Sequence, residues 1–489
     1  MRSRVNASVI ASAAMAITAL LALHPASKIE AQGPSVVDGN LQVRTVAGGL
    51  TTPIGIAYLA TGDFFVLEKN TGRVMRFTAS EPPSTVLDLA VNFASERGLL
   101  GIALHPEFPL IPWVYLYWTE STTGEDTDVL SNTPLLGNRV DRFMWNGSSL
   151  TLDRTLILLR AIQQDAEQPE RGNHDGGVLR FGPDGKLHVF VGDLGRRGWM
   201  QNLPDGPFEP GVADDQFGGP EPDDAHLSGV VLRLNEDGST PTDNPFFTAG
   251  RAIDGEAGAN IQKVFSYGHR NSFGMAFDPA SGDLWLQENG DDSFSELNRV
   301  VPGTNGGWIQ IAGPVERIAQ FKEIETTFGS RNLQQLRWPP ENIADTPEEA
   351  LSRLFVLPGS RYKDPEFSWK WEVAPGGIGF LDSRSLGPQY AGDLFMGAAT
   401  TALEGGYLFR FELTGNRRKI GVDDPRLSDR VADNVAKHDI TESESLLFGR
   451  NFGIVTDVKT APNGNLVVVS LSTGAIYEIF RPDRNAGGR

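Results

Sequence analysis

The sequence predicts an all-β chain, a six-bladed β-propeller with rim-loop insertions, from three observations. The first is turn content. There are 55 Gly and 31 Pro in 489 residues, well above the usual combined share of about 12 %, and both residues weaken helix interiors. With 40 % hydrophobic residues, this excess marks turns in a packed protein and not disorder. The second is a recurring unit, a Pro or aromatic leading into a D/N-G or G-D turn and then an alternating β-strand. The third is the near absence of helical periodicity between the copies.

The copies run in order along the chain. Thr61-Gly62-Asp63 precedes FFVLEK, and the looser Leu104-His105-Pro106-Glu107-Phe108 precedes WVYLYWT. Phe181-Gly182-Pro183-Asp184-Gly185 leads into KLHVFVGD, and Phe277-Asp278-Pro279 through Gly282-Asp283 into LWLQENG. Gly392-Asp393, after Pro388, opens LFMGA, and Ala461-Pro462-Asn463-Gly464 opens NLVVVSL. Each copy has a further strand behind it, such as GRVMRF, YLFRFEL or GAIYEIF. Radial repetition of such units protects strand edges, which is the logic of a propeller. Their irregular spacing requires insertions. One, at about 320–358, is predicted to be partly helical, because Thr346-Pro347-Glu348-Glu349 supplies an N-cap, a Pro at the first helical position and a Glu at the third.

Residues 1–31 read as a secretory signal peptide, with Arg2 and Arg4 before an apolar run and a polar stretch ending at Ala31. Residues 32–489 then form the propeller. No later stretch is long and apolar enough to span a bilayer, so the expected location is periplasmic or extracellular. A net charge of −19 argues against nucleic acid as a partner. The absence of cysteine excludes disulfides, thiolate catalysis and cysteine-held metals.

Three segments carry candidate chemistry. In the first, His174 stands before Gly176-Gly177 and a strand, and Asp193 ends the next strand. A hairpin of this length brings its ends together, so Asp193 is placed to fix the imidazole tautomer as a general base requires; a plain turn His is the other reading. In the second, Arg270 and Asn271 sit between Gly268 and Gly274, suited to binding carboxylate or quinone oxygens or to tying rim loops together. The third runs Gln287-Glu288-Asn289-Gly290-Asp291-Asp292, followed by Glu296-Leu297-Asn298 and Asn305 through Trp308. This oxygen-rich, Gly-bent stretch suits calcium without EF-hand spacing. The cluster of Asp214, Asp215, Asp223 and Asp224 reads as a solvated loop.

Together these stretches resemble the soluble pyrroloquinoline-quinone (PQQ) sugar dehydrogenases, the glucose/sorbosone and aldose sugar dehydrogenases. ERGLLGIALHPEF, NHDGGVLRFGPDGKLHVFVGD, VFSYGHRNSFGMAFDPASGDLWLQENG and ELNRVVPGTNGGW are among those that match, and the likeness runs from about Val43 to Ile479. The resemblance implies that His174 is the general base, oriented by Asp193. It implies that Arg270 binds the reactive quinone carbonyl, and that Asn173, Asn271 and Asn289 lie against the cofactor. It also assigns the backbone carbonyls of Gly290 and Asp291 to an active-site calcium.

The chain departs from this pattern in its C-terminal third. Glu404 stands where the glucose-oxidising members have Lys, and Ile454 and Thr456 stand where they have an R-x-R pair. Those cations neutralise the PQQ tricarboxylate, and Lys370, Arg384 and Arg450 are the nearby candidates to replace them. The implied function is a secreted, calcium- and PQQ-dependent oxidoreductase acting on an aldose sugar or related alcohol, with an electron acceptor the sequence does not name. A calcium-bound binding propeller without PQQ and a calcium-dependent lactonase are the alternatives.

Overall fold

The computed structural model describes residues 33–162, 172–195, 202, 226–328 and 340–482. The predicted signal peptide and the cluster from Asp214 to Asp224 lie outside the described residues. Contacts divide the chain into Met1–Gly33 and Pro34–Arg489, and the following concerns the second unit.

Among the described residues, six sheets each contain four antiparallel strands, some extended by a short edge strand. Their innermost strands are Pro53–Ala60, Leu99–Leu104, Leu179–Phe181, Met275–Phe277, Pro375–Phe380 and Val455–Thr460. Each packs against the next and the last packs against the first. The sheets thus form a closed ring, a β-propeller. Its closure is made by the chain ends: strand Gln42–Ala47 pairs with Ala475–Phe480 in one sheet.

The strand Asp63–Glu68 shows why the sequence folds this way. Its FFVL core is apolar on both faces because each face meets a neighbouring sheet. Phe65 and Leu67 join Ile102, Val114 and Leu116 of the second sheet. Phe64 and Val66 join Val467, Val469 and Ile476 of the last. The remaining gaps around the ring are filled in the same manner. Trp285 and Trp369 of the fourth sheet, both fully buried, meet Leu394 and Phe409 of the fifth. Truncating either indole to Ala would cost about 3–5 kcal/mol.

Two helices fall in or at the edge of the stretch 320–358, of which residues 329–339 lie outside the described residues. Helix Pro347–Ser352 has Thr346 as its N-cap, whose side chain accepts from the Glu349 amide, with Pro at the first position. Helix Ile318–Thr327 precedes it, and both pack on one cluster with Trp308, Ile309 and Phe294. Short helices Phe247–Arg251 and Gly255–Ile261 were not legible in the sequence; neither has a side-chain N-cap bond.

Candidate active site

In each sheet the innermost strand starts at the ring end where the second strand finishes. The residues before first strands and after second strands therefore collect on one face. His174, Arg270 and Asn271 precede first strands; Asp193 and Asn289 through Asp291 follow second strands. The topology alone brings the predicted site residues to one end of the ring.

The His174–Asp193 hairpin closes as the spacing predicts. His174 Nδ1 lies 2.5 Å from Asp193 Oδ1, and the two residues are 3 % and 0 % exposed. Gly195 N donates to the same Asp193 oxygen at 2.8 Å, and Trp308 Nε1 donates to the other at 2.9 Å. At least three donors hold the carboxylate, which fixes the ring. Gly192 makes the closure possible, because a Cβ there would collide with the His174 carbonyl. His174 itself has φ of 60°, a left-handed conformation that costs a non-glycine residue on the order of 1 kcal/mol.

Arg270 enters from the next sheet. Its Nη1 donates to the Asn289 carbonyl at 2.8 Å, and its Nη2 lies 3.3 Å from Asp291 Oδ1. Its guanidinium stands 5.5 Å from the Trp308 ring centre, and its backbone amide donates to Glu288 Oε2 at 2.8 Å. The Arg270 carbonyl accepts from the Asp193 amide, which ties the two predicted segments together. Arg270 Nε and Asn271 Oδ1 are buried and have no hydrogen-bond partner among the described residues. Asn289 Nδ2 donates to the Pro375 carbonyl at 3.0 Å, and Asn173 is half-buried beside His174.

A cavity of about 330 Å³ opens at this end, walled by Lys69, Glu96, Leu100, Gly176, Phe273, Asn289, Pro375, Ile454 and Thr456, among others. His174 and Arg270 are outside its wall but bond to residues in it. Glu96 is the main link, and it was not singled out from sequence although it lies in the matching stretch ERGLLG. Its Oε2 accepts from the His174 amide at 2.6 Å and from Asn271 Nδ2 at 3.1 Å. Lys69 was also missed. Its ammonium donates to the Ser95 carbonyl at 2.9 Å, and burial pulls its pKa down to about 8 against the pull of Asp175 and Glu96. Lys370, Arg384 and Arg450 do not line the cavity; Arg450 instead stacks on Tyr407. Glu404 is exposed.

Gly290 and Asp291 stand at the predicted strand end, but the surroundings differ from the expectation of an open calcium site. The Asp291 carbonyl already accepts from Lys437 Nζ at 3.0 Å, and the same ammonium lies 2.5 Å from Asp292 Oδ1. Nearby, burial raises the Glu372 carboxyl to about 7, although Lys437 and Arg270 oppose this. Among the described residues, no three His, Asp or Glu side chains are arranged to hold a metal.

A ring of sheets thus carries a buried His–carboxylate pair, an arginine and a cavity at one end. The chain belongs to the Glucose / Sorbosone dehydrogenase family, whose profile matches residues 50–317. It is 30 % identical over 279 residues to quinoprotein glucose dehydrogenase B of Acinetobacter calcoaceticus, covering 56 % of this chain and 53 % of that protein; the match thus spans about half of that relative. It is 25 % identical over 444 residues to aldose sugar dehydrogenase YliI of Escherichia coli, covering 90 % of this chain and 92 % of that one. The PQQ-bound aldose sugar dehydrogenase of Streptomyces coelicolor shares the fold, with a TM-score of 0.55 at 24 % identity over 90 % of this chain and 98 % of that one. No helix among the described residues is long and apolar enough to cross a membrane.

Proposed function

We propose that this chain is a PQQ-dependent oxidoreductase that oxidises a hydroxyl group of an aldose sugar or related alcohol. The observation that carries the reading is the buried His174–Asp193 pair at the cavity end of the ring. Asp193 holds Nδ1, which leaves Nε2 to take the hydroxyl proton, and the carboxylate stabilises the imidazolium that results. Bound PQQ would supply the two-electron acceptor for the hydride leaving the same carbon. The unpartnered Arg270 Nε is a donor that fits the oxygen-rich quinone end, where Arg270 would stabilise negative charge as it develops.

The other end of the cavity fits less of the cofactor. Ile454 and Thr456 present no charge to its carboxylates, and among the described residues Lys69 is the cation in the wall. Calcium does not fit the Asp291 carbonyl while Lys437 is bonded there, so no step is assigned to a metal. Six sheets of four to six strands support reading the ring as six-bladed, and the sequence of residues 1–31 supports export to the periplasm or beyond. Sugar is the substrate class suggested by the named relatives.

Titration of purified protein with PQQ, followed by dye reduction in the presence of aldoses, tests the proposal. Binding with aldose-dependent reduction is expected, and no binding at micromolar PQQ would overturn it. His174→Ala is expected to retain cofactor binding and to lose turnover; unchanged turnover would remove His174 from the role of base.

A further inference from the structure

The loop at Asn289–Asp292 carries its own cations. Arg270 donates to the Asn289 carbonyl at 2.8 Å, and Lys437 donates to the Asp291 carbonyl at 3.0 Å. Lys437 Nζ also pairs with Asp292 Oδ1 at 2.5 Å, and its side chain is 30 % exposed against 7 % for Asp292. The ammonium is held from a second side as well, 5.7 Å from the Phe328 ring centre. Its backbone is fixed to the same region, because the amide of His438 donates to the Glu372 carbonyl and that of Glu372 to the Asp292 carbonyl. The lysine therefore meets the loop through a backbone bridge, an ion pair and a carbonyl bond.

We propose that Lys437 is a tethered cation that takes the divalent cation's place on this loop. A calcium ion using the Asp291 carbonyl would stand within a few ångströms of the ammonium, and two positive charges so close repel strongly where water is scarce. The ion must displace Lys437 and strand Asp292, or stay away. Tethering also removes the entropy cost of recruiting a free ion. The loop is held by the chain itself, and its order does not depend on calcium in the medium. This deepens the reading of the same site but rests on its geometry alone, because metal binding is measured without cofactor or substrate.

Isothermal titration of metal-free protein with calcium tests this, alongside melting curves with calcium and with chelator. Wild type is expected to show no saturable sub-millimolar site and the same melting temperature in both media. Lys437→Met, which keeps most of the stem but removes the charge, is expected to bind one calcium at least about tenfold more tightly than wild type. It should melt higher with calcium than with chelator. Lys437→Arg restores a cation and is expected to behave as wild type. Equal calcium affinity in wild type and Lys437→Met overturns the proposal. If Lys437→Met does not fold, wild type decides: a micromolar calcium site abolished by Asp292→Asn overturns it, and its absence supports it. Loss of dehydrogenase activity in any variant leaves these readouts untouched, so failure of the functional reading is distinguishable.

Discussion

Replacing Asp193 by Asn tests the base assignment with the least change of shape. In the native site one carboxylate oxygen takes His174 Nδ1 at 2.5 Å and the Gly195 amide at 2.8 Å, while the other takes Trp308 Nε1 at 2.9 Å. An amide has a single accepting oxygen. If that oxygen stays with His174, its NH2 group faces the Trp308 donor, and the negative charge that stabilises an imidazolium is gone. If the amide turns over, His174 must accept at Nδ1 and carry its proton on Nε2, where it cannot act as a base. The first arrangement costs stability through the unpaired indole, about 1–3 kcal/mol. The second arrangement removes base catalysis and the first weakens it; the full contribution is about 10²–10⁴-fold, or roughly 3–5 kcal/mol of barrier at 1.36 kcal/mol per tenfold. Dye-coupled turnover at saturating PQQ and sugar reads the second figure, and thermal denaturation reads the first. A kcat within about threefold of wild type, with an unchanged pH profile, would refute the argument.

Two further outcomes are expected. Thr456→Arg or Ile454→Arg adds a guanidinium where these two uncharged residues line the cavity; a new charge-assisted contact of about 1.5–3 kcal/mol should tighten PQQ at least about tenfold in a fluorescence titration. An unchanged Kd would show that this wall does not face the carboxylates. His188 is buried between Phe265 and Phe277, and burial lowers its pKa to about 4. The unfolded chain binds that proton near pH 6.5, so the stability contributed by the neutral ring is present above about pH 6.5 and is lost as pH falls toward 4. His188→Phe should show a shallower loss of melting temperature between pH 7 and pH 4.5, and equal slopes would count against it.

The ring was legible because its information is local. The turn before FFVLEK and the apolar alternation after it specify a strand covered on both faces, and the unit recurs. The His174–Asp193 pair was legible for the same reason, since one hairpin sets its spacing. Arg270 and Asn289 reach the site from a different sheet, and resemblance, not spacing, assigned them. Glu96 and Lys69 escaped notice because what matters about them is which loops they join across the ring. Lys437 is the extreme case: nothing in the stretch VAKHDI signals a partner at Asp291, 146 residues earlier in the chain. A carbonyl predicted as a metal ligand is read from one strand end, while its occupant comes from a loop 146 residues further along the chain.

The pairing of Gln42–Ala47 with Ala475–Phe480 bears on when this site comes into being. The sheet it completes carries Val455–Thr460 as its inner strand, and that strand provides Ile454 and Thr456 to the cavity wall. In a nascent chain His174, Asp193 and Arg270 are all made more than 180 residues before that wall. Contacts between opposite ends of a chain are slow to form because loop closure must precede their reward. Closure of the ring thus waits on strand Ala475–Phe480. A chain stopped before Val455–Thr460 would hold the His174–Asp193 pair without that part of the cavity wall.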